Sequence, residues 1–274
     1  MDEEEPDYNT NLSRALSTHS LAINPAYPHT TINTLITQFK ATNFLSALST
    51  YIRRLIPPPA LPVLPNLVDR FDVYKRVTIL RPSNQAAGIP KSVDRVRATH
   101  SVPAKGRTKA VPAHFDTVLV RMVDSDIAEN LHTKDSCLEG MMQISSLTGV
   151  MSNRIILGLR VAQLRALFSL PEHLQHPKLS QRLAYIEWFT PFRAPHSDSG
   201  LFSITRASRN NGPVSDIIPL DSIVSSCHLI PRFGTKFHPA RWDSDTVLEE
   251  CKSFFLNKYL NLRTFFDLKQ HLHV

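Results

Sequence analysis

In Leu183-Ala184-Tyr185-Ile186-Glu187-Trp188-Phe189-Thr190-Pro191-Phe192, aromatic and apolar residues crowd a short run that Thr190 and Pro191 bring to an end. That composition suits a pleated strand better than a helix. Alternation places Tyr185 and Phe189 on one face and Ile186 and Trp188 on the other. One face is expected in a core. The opposite face, with Phe192 nearby, makes Tyr185, Trp188 and Phe192 candidates for stacking on a base or enclosing a methylated lysine. Core packing is the competing reading, because burial dominates the energetics of aromatic side chains.

Working outward, residues 115–123, 159–170, 201–207 and 217–223 read as further strands, and Pro219 marks the last as an edge or turn-broken strand. Upstream, Phe71, Val73, Val77 and Ile79 alternate with polar partners and read as another. Short strands in succession predict an α+β chain built on a small antiparallel barrel over residues 67–240. Residues 124–158 interrupt the series as an insertion or loop. The flanks read differently. Residues 1–29 are acidic, then polar, with Pro25 and Pro28 as breakers, and are expected to be an unstructured tail. Over 30–56 two helical stripes appear, Ile32, Leu35, Ile36, Phe39 and then Leu45, Leu48, Ile52, Leu55. Thr30 or Thr31 caps the first, and Asn43 either caps a second helix or lies within an unbroken one. Pro57, Pro58, Pro59, Pro62 and Pro65 make 57–66 a stiff linker. Over 241–274, Val247, Leu248, Cys251, Phe254 and Phe255 are spaced as one face of a helix capped by Asp243 or Ser244, with Leu262, Phe265, Phe266 and Leu268 beginning another. The expected core is Trp188, Phe189, Leu167, Ile186, Ile204, Ile218, Val247, Leu248, Phe254 and Phe255.

Glycine is scarce, at 8 of 274 residues, and no G-x-G-x-x-G, G-x-x-x-x-G-K-[ST] or G-x-S-x-G occurs. Phosphate-cradling loops and nucleophile elbows of these kinds are therefore excluded. The 12 histidines are dispersed, and Cys227 and His228, as neighbours on a strand, point to opposite faces. No metal, cofactor or small-molecule substrate is expected. Asp116, Asp124, Asp126, Glu129, Asp135 and Glu139 are close in sequence, but carboxylates that hold two metal ions come from separate strands, so this reads as a solvated loop. No catalytic residue is assigned. An odd count of 3 widely spaced cysteines suits a reducing compartment. The acidic opening and the lack of a long apolar stretch predict a soluble, intracellular protein without a membrane partner.

The net charge of +7 is concentrated. Residues 81–110 hold Arg81, Lys91, Arg95, Arg97, Lys105, Arg107 and Lys109 against one acid, Asp94. With Pro82, Pro90, Pro103 and Pro112 among them and no periodicity, 81–114 reads as a long loop or an arm that orders on binding. Lys91, Arg95, Arg97, Lys105, Arg107 and Lys109 are the candidate contacts to nucleic-acid phosphates, against the plainer reading of a solvated or nuclear-targeting tract.

The order Phe71-Asp72-Val73-Tyr74-Lys75-Arg76, His114-Phe115-Asp116-Thr117-Val118-Leu119-Val120, Gly158-Leu159-Arg160-Val161-Ala162-Gln163-Leu164-Arg165, then the run 183–192, Ile217-Ile218-Pro219, Ser226-Cys227-His228-Leu229 and a tail with Asn257-Lys258-Tyr259 resembles the C-terminal part of the Plavaka-type transposase-like proteins of mushroom-forming fungi. The resemblance spans roughly 66–268 and departs over 124–157. It implies a transposon origin, while the RNase H-like domain expected to cut and join DNA in such proteins has no counterpart in this sequence. A looser likeness, Val161-Ala162-Gln163-Leu164, Tyr185-Ile186-Glu187-Trp188-Phe189, an Ile-Pro step and Cys227, resembles bromo-adjacent-homology (BAH) domains, which implies an SH3-like barrel used for protein and nucleosome contact. The expected function is a non-catalytic DNA- or chromatin-binding module acting in the nucleus. The alternatives are a module that recognises a protein partner and a decayed fragment without a selected role.

Overall fold

The computed structural model describes residues 17–107, 109–122, 158–232 and 246–269. In chain order its strands are β1 (Thr18–Leu21), β2 (Tyr27–Thr31), β3 (Arg70–Tyr74), β4 (Arg76–Arg81), β5 (Ser92–Thr99), β6 (His114–Phe115), β7 (Thr117–Arg121), β8 (Leu159–Ser169), β9 (Arg182–Trp188), β10 (Phe202–Thr205), β11 (Ser208–Arg209), β12 (Gly212–Pro213), β13 (Ser215–Pro219), β14 (Ile223–Ser226), β15 (Leu229–Pro231) and β16 (Ser253–Leu256). Helices α1 (Ile32–Thr37) and α2 (Phe44–Leu55) precede β3. Short helices Val247–Glu250 and Leu262–Lys269 flank β16.

Strand β8 organises the largest sheet. One of its edges pairs with β9, whose far side carries β13. Its other edge is divided, Leu159–Gln163 pairing with β7 and Leu167–Ser169 with β3. Beyond β7 lies β14, and beyond β3 lies β2. A second sheet runs β1-β4-β5-β6 and a third β10-β16-β15. All these pairings are antiparallel. Pro219 ends β13 at the sheet edge, where its missing N–H costs no ladder bond.

Two chain paths pass from the large sheet into the β1-β4-β5-β6 sheet through single-residue corners, Lys75 between β3 and β4 and Asp116 between β6 and β7. Backbone bonds stitch these corners: Ala98 N–H donates to the Lys75 carbonyl (2.8 Å) and Asp116 N–H to that of Arg97 (3.1 Å). Because β3 and β7 share one edge of β8 and each then bends away, the ladders divide instead of running round. No closed barrel forms among the described residues. The expected barrel is thus corrected to bent, open antiparallel sheets with few helices, an α+β arrangement.

Two apolar clusters fill the molecule. In the larger one, α1 and α2 cover the sheet, and the Phe44 ring meets Phe71, Phe168 and Tyr185 at 5.2, 5.0 and 5.9 Å between centroids. In the smaller one, Leu119 and Val161 of the large sheet and Phe189 just past β9 meet Phe202, Ile204, Phe254 and Leu256 of the third. Trp188, Phe189, Leu167, Ile186, Ile204, Ile218 and Phe254 are buried as expected, whereas Val247, Leu248 and Phe255 are half-buried.

Several expectations change. From Thr18 onward the supposed unstructured tail supplies β1 and β2, with β1 closing the free edge of β4. The helical segment is two helices, separated at Lys40 by a positive φ of 59°, and Thr31 Oγ1 caps the first by accepting from Thr34 N–H. The proline-rich segment 57–66 joins parts of one core and not separate domains, since Ile56 before it belongs to the same apolar cluster as Phe71 after it, and Leu64 within it packs against that cluster. In the tail, the helix stops at Glu250 and Phe254 lies on a strand. Both edges of β16 are taken by β10 and β15, so tertiary pairing overrides the helical spacing. Asp243, Ser244 and all of the expected insertion 124–158 except Gly158 lie outside the described residues.

Candidate nucleic-acid interface

Residues 92–99, read as irregular from the sequence, form β5, and their burial alternates. Val96 and Ala98 are fully buried, while Val93, Arg95 and Arg97 point to solvent. Lys91, just before the strand, has the same parity and is exposed. Opposite, β4 buries Val77 and Ile79 and turns Arg76 outward. The register pairs Arg76 with Arg97, Thr78 with Arg95 and Leu80 with Val93. On the far side of β4, β1 turns Thr18 and Ser20 out beside Leu80 and Thr78. The outer face of this sheet therefore carries arginines and hydroxyl groups, both of which contact phosphates.

Asp94, the single acid of the basic stretch, is removed from that face. Its parity is that of Val96, and its carboxylate accepts from Ser226 N–H (2.6 Å) and Ser226 Oγ (3.0 Å). Arg81 is removed too, buried in an ion pair with Asp267. Asp116 balances charge on the rim. It accepts from Arg97 N–H (2.8 Å) and faces Arg97 Nε at 3.3 Å.

Past β5 the chain leaves the sheet as an arm. At its root the His100 ring lies against Tyr27 (4.8 Å) and Phe39 (5.0 Å). Val102 and Val111 exchange two backbone hydrogen bonds of 2.8 and 2.9 Å, and Lys105, Arg107 and Lys109 are exposed on the segment between them. The structure thus gathers Lys91, Arg95 and Arg97 on one strand face and places Lys105, Arg107 and Lys109 on the arm that continues from it. Arg76 was missed by sequence reasoning, although the alternation of Val77 and Ile79 already placed it on the face opposite the core.

The aromatic candidates fare differently. Tyr185 is fully buried, its Oη accepting from Asn43 N–H (3.2 Å), and burial raises its phenol pKa. Trp188 is 5% exposed, with the Arg160 guanidinium 4.9 Å over its ring. Burial lowers that guanidinium to about 10, against the charge of Asp216. Phe192 is half-buried with its ring 4.9 Å from Phe202. Tyr185 and Trp188 are core residues, so they drop out of the proposed partner surface.

A second polar constellation runs outward from the interior, with Arg165 and Glu187 buried and Glu249 at its exposed end. Arg165, at a bulge in β8, reaches Glu187 through Nε (2.9 Å) and Nη2 (2.8 Å), and Glu249 through Nη1 (2.7 Å). Arg206 joins it, donating to Gln163 Oε1 (2.7 Å) and standing 3.6 Å from Glu187. Burial by itself would raise the Glu249 carboxyl, but hydrogen bonds and charge from Arg165, with Arg206 and Lys40, hold it down to about 2. Every charge here is matched, which fits a structural knot. Burial pushes the Cys227 thiol up to about 12, far from the thiolate a nucleophile needs. His228 beside it is exposed. Among the described residues no three His, Cys, Asp or Glu side chains stand close enough to hold a metal ion, and no helix is long and apolar enough to cross a membrane.

No family model, curated protein or solved structure matches the chain.

Proposed function

We propose that this chain is a DNA-binding accessory module of a transposon-derived protein, acting in the nucleus and holding the phosphate backbone through the outer face of β4–β5 and the arm beyond it. One observation carries the reading: Arg76, Lys91, Arg95 and Arg97 are exposed on one side of a sheet while the acid of the same stretch, Asp94, is turned under and bonded to Ser226. A face on which four cations meet one rim carboxylate, Asp116, has the sign and the spread to follow a polyanion. The resemblance to Plavaka-type proteins accords with such a partner.

The test is the salt dependence of binding to a labelled mixed-sequence duplex, followed by fluorescence anisotropy between about 50 and 200 mM salt. The affinity should fall steeply. Each phosphate contact contributes roughly 0.9 to the slope of log K against log salt, so Lys91→Gln with Arg95→Gln should flatten it by about 1.8. Binding indifferent to salt, or no binding at the lowest salt, rejects the reading.

A further inference from the structure

Residues 101–112 form a ribbon whose described members are all exposed, so it contributes almost nothing to either core. The Val102–Val111 rung closes its base. Pro103 and Pro112, beside that rung, have no N–H with which to continue a ladder. Near the outer turn stands Lys105-Gly106-Arg107. Gly106 has a φ of +58°, a conformation that favours glycine, and a Cβ added there would meet nothing within 4 Å. A cation on each side of a residue without a side chain makes a thin, charged tip.

The two grooves of B-form DNA offer that tip different things. In the major groove, about 12 Å wide, Arg and Lys read guanine, Asn and Gln read adenine and acids read cytosine, so a basic ribbon placed there would favour G·C-rich duplexes, the opposite preference to a minor-groove contact. The ribbon holds no Asn, Gln, Asp or Glu. The minor groove, about 6 Å wide, admits thin elements, and over A-tracts it narrows and deepens its negative potential, which attracts inserted Arg and Lys. We infer that the ribbon enters the minor groove of A·T-rich duplex DNA with Lys105-Gly106-Arg107 leading, while the β4–β5 face holds the flanking phosphates. This rests on the DNA-binding reading above, and adds to it a sequence preference and a division of labour between Arg95 on the sheet and Arg107 on the arm.

The experiment compares two duplexes of equal length, one carrying a central A-tract and one all G·C, at a single salt concentration with the full chain. The A-tract should bind about tenfold more tightly, within the span that reading one base pair provides. Netropsin, which fills the A·T minor groove, should compete for the A-tract and leave the G·C duplex unaffected. Lys105→Ala with Arg107→Ala changes only exposed side chains and so leaves the fold intact. It should erase the A-tract preference while the G·C affinity stays salt-dependent. Equal affinity for the two duplexes, or netropsin without effect, overturns the arm's role and leaves the phosphate-binding face standing. Loss of salt-dependent binding by the unaltered chain overturns both.

Discussion

Arg76 and Arg97 stand directly opposite one another across the β4–β5 ladder, both exposed, and Asp116 sits against Arg97 alone. Like charges in facing strand positions disfavour the sheet. The pairing is thus a cost to the fold that a bound polyanion would relieve. Arg76→Thr is predicted to raise the thermal midpoint at low salt by the equivalent of about 0.2–1 kcal/mol, with the gain shrinking as salt rises. The same change should weaken DNA binding. A variant that is less stable at low salt contradicts this account.

Asp116→Asn removes the one carboxylate beside Arg97 and keeps an oxygen to accept its backbone N–H. DNA affinity should rise, and the salt slope should steepen by up to roughly one contact's worth. Unchanged affinity at low salt would mean that Arg97 does not face the ligand.

The strands with strong alternation or continuous burial were legible in the sequence, as β7, β8 and β9 show. β5 was not, because Asp94 occupies an inward position and only Val96 and Ala98 mark the buried face. Thr18-His19-Ser20-Leu21 carries still less signal, since its inward His19 is satisfied by the Ile223 carbonyl across 204 residues. The cations of the interface could be found from charge density alone. Their common face could not, since it depends on the β4–β5 register. The Arg165–Glu249 contact joins residues 84 apart and follows from no local pattern.

At the internal knot, Arg165 and Glu187 are both nearly fully buried. Removing one partner strands a buried charge, so Arg165→Met should cost about 3–5 kcal/mol in urea unfolding. Arg165→Met with Glu187→Leu should cost clearly less than the two single changes added together. Strict additivity would mean that the two groups are not coupled.

Glu249 gives this knot a dependence on pH. Its carboxyl lies at about 2 in the folded chain against an ordinary 4.5, so the folded state favours the ionised form. The stability it supplies is complete above about 4.5 and is lost as pH falls toward 2. Unfolding free energies measured at pH 6 and pH 3 should differ less for Glu249→Gln than for the unaltered chain. An equal drop in both would show that this carboxylate carries none of the acid sensitivity.

Phe254 and Phe255 separate the strand from the helix that their spacing first suggested. On a helix begun at Val247 both would fall on the buried side and cost similar amounts when truncated. On β16, Phe254 points into the smaller core and is fully buried, whereas Phe255 lies on the other face, with the Arg232 guanidinium 4.9 Å over its ring and His196 at 5.9 Å. Phe254→Ala should therefore cost about 3–5 kcal/mol. Phe255→Ala should cost roughly 1 kcal/mol, because half-burial of a phenyl ring carries about half its transfer energy. Chemical denaturation of the two variants measures the asymmetry, and equal losses would return this segment to a helix.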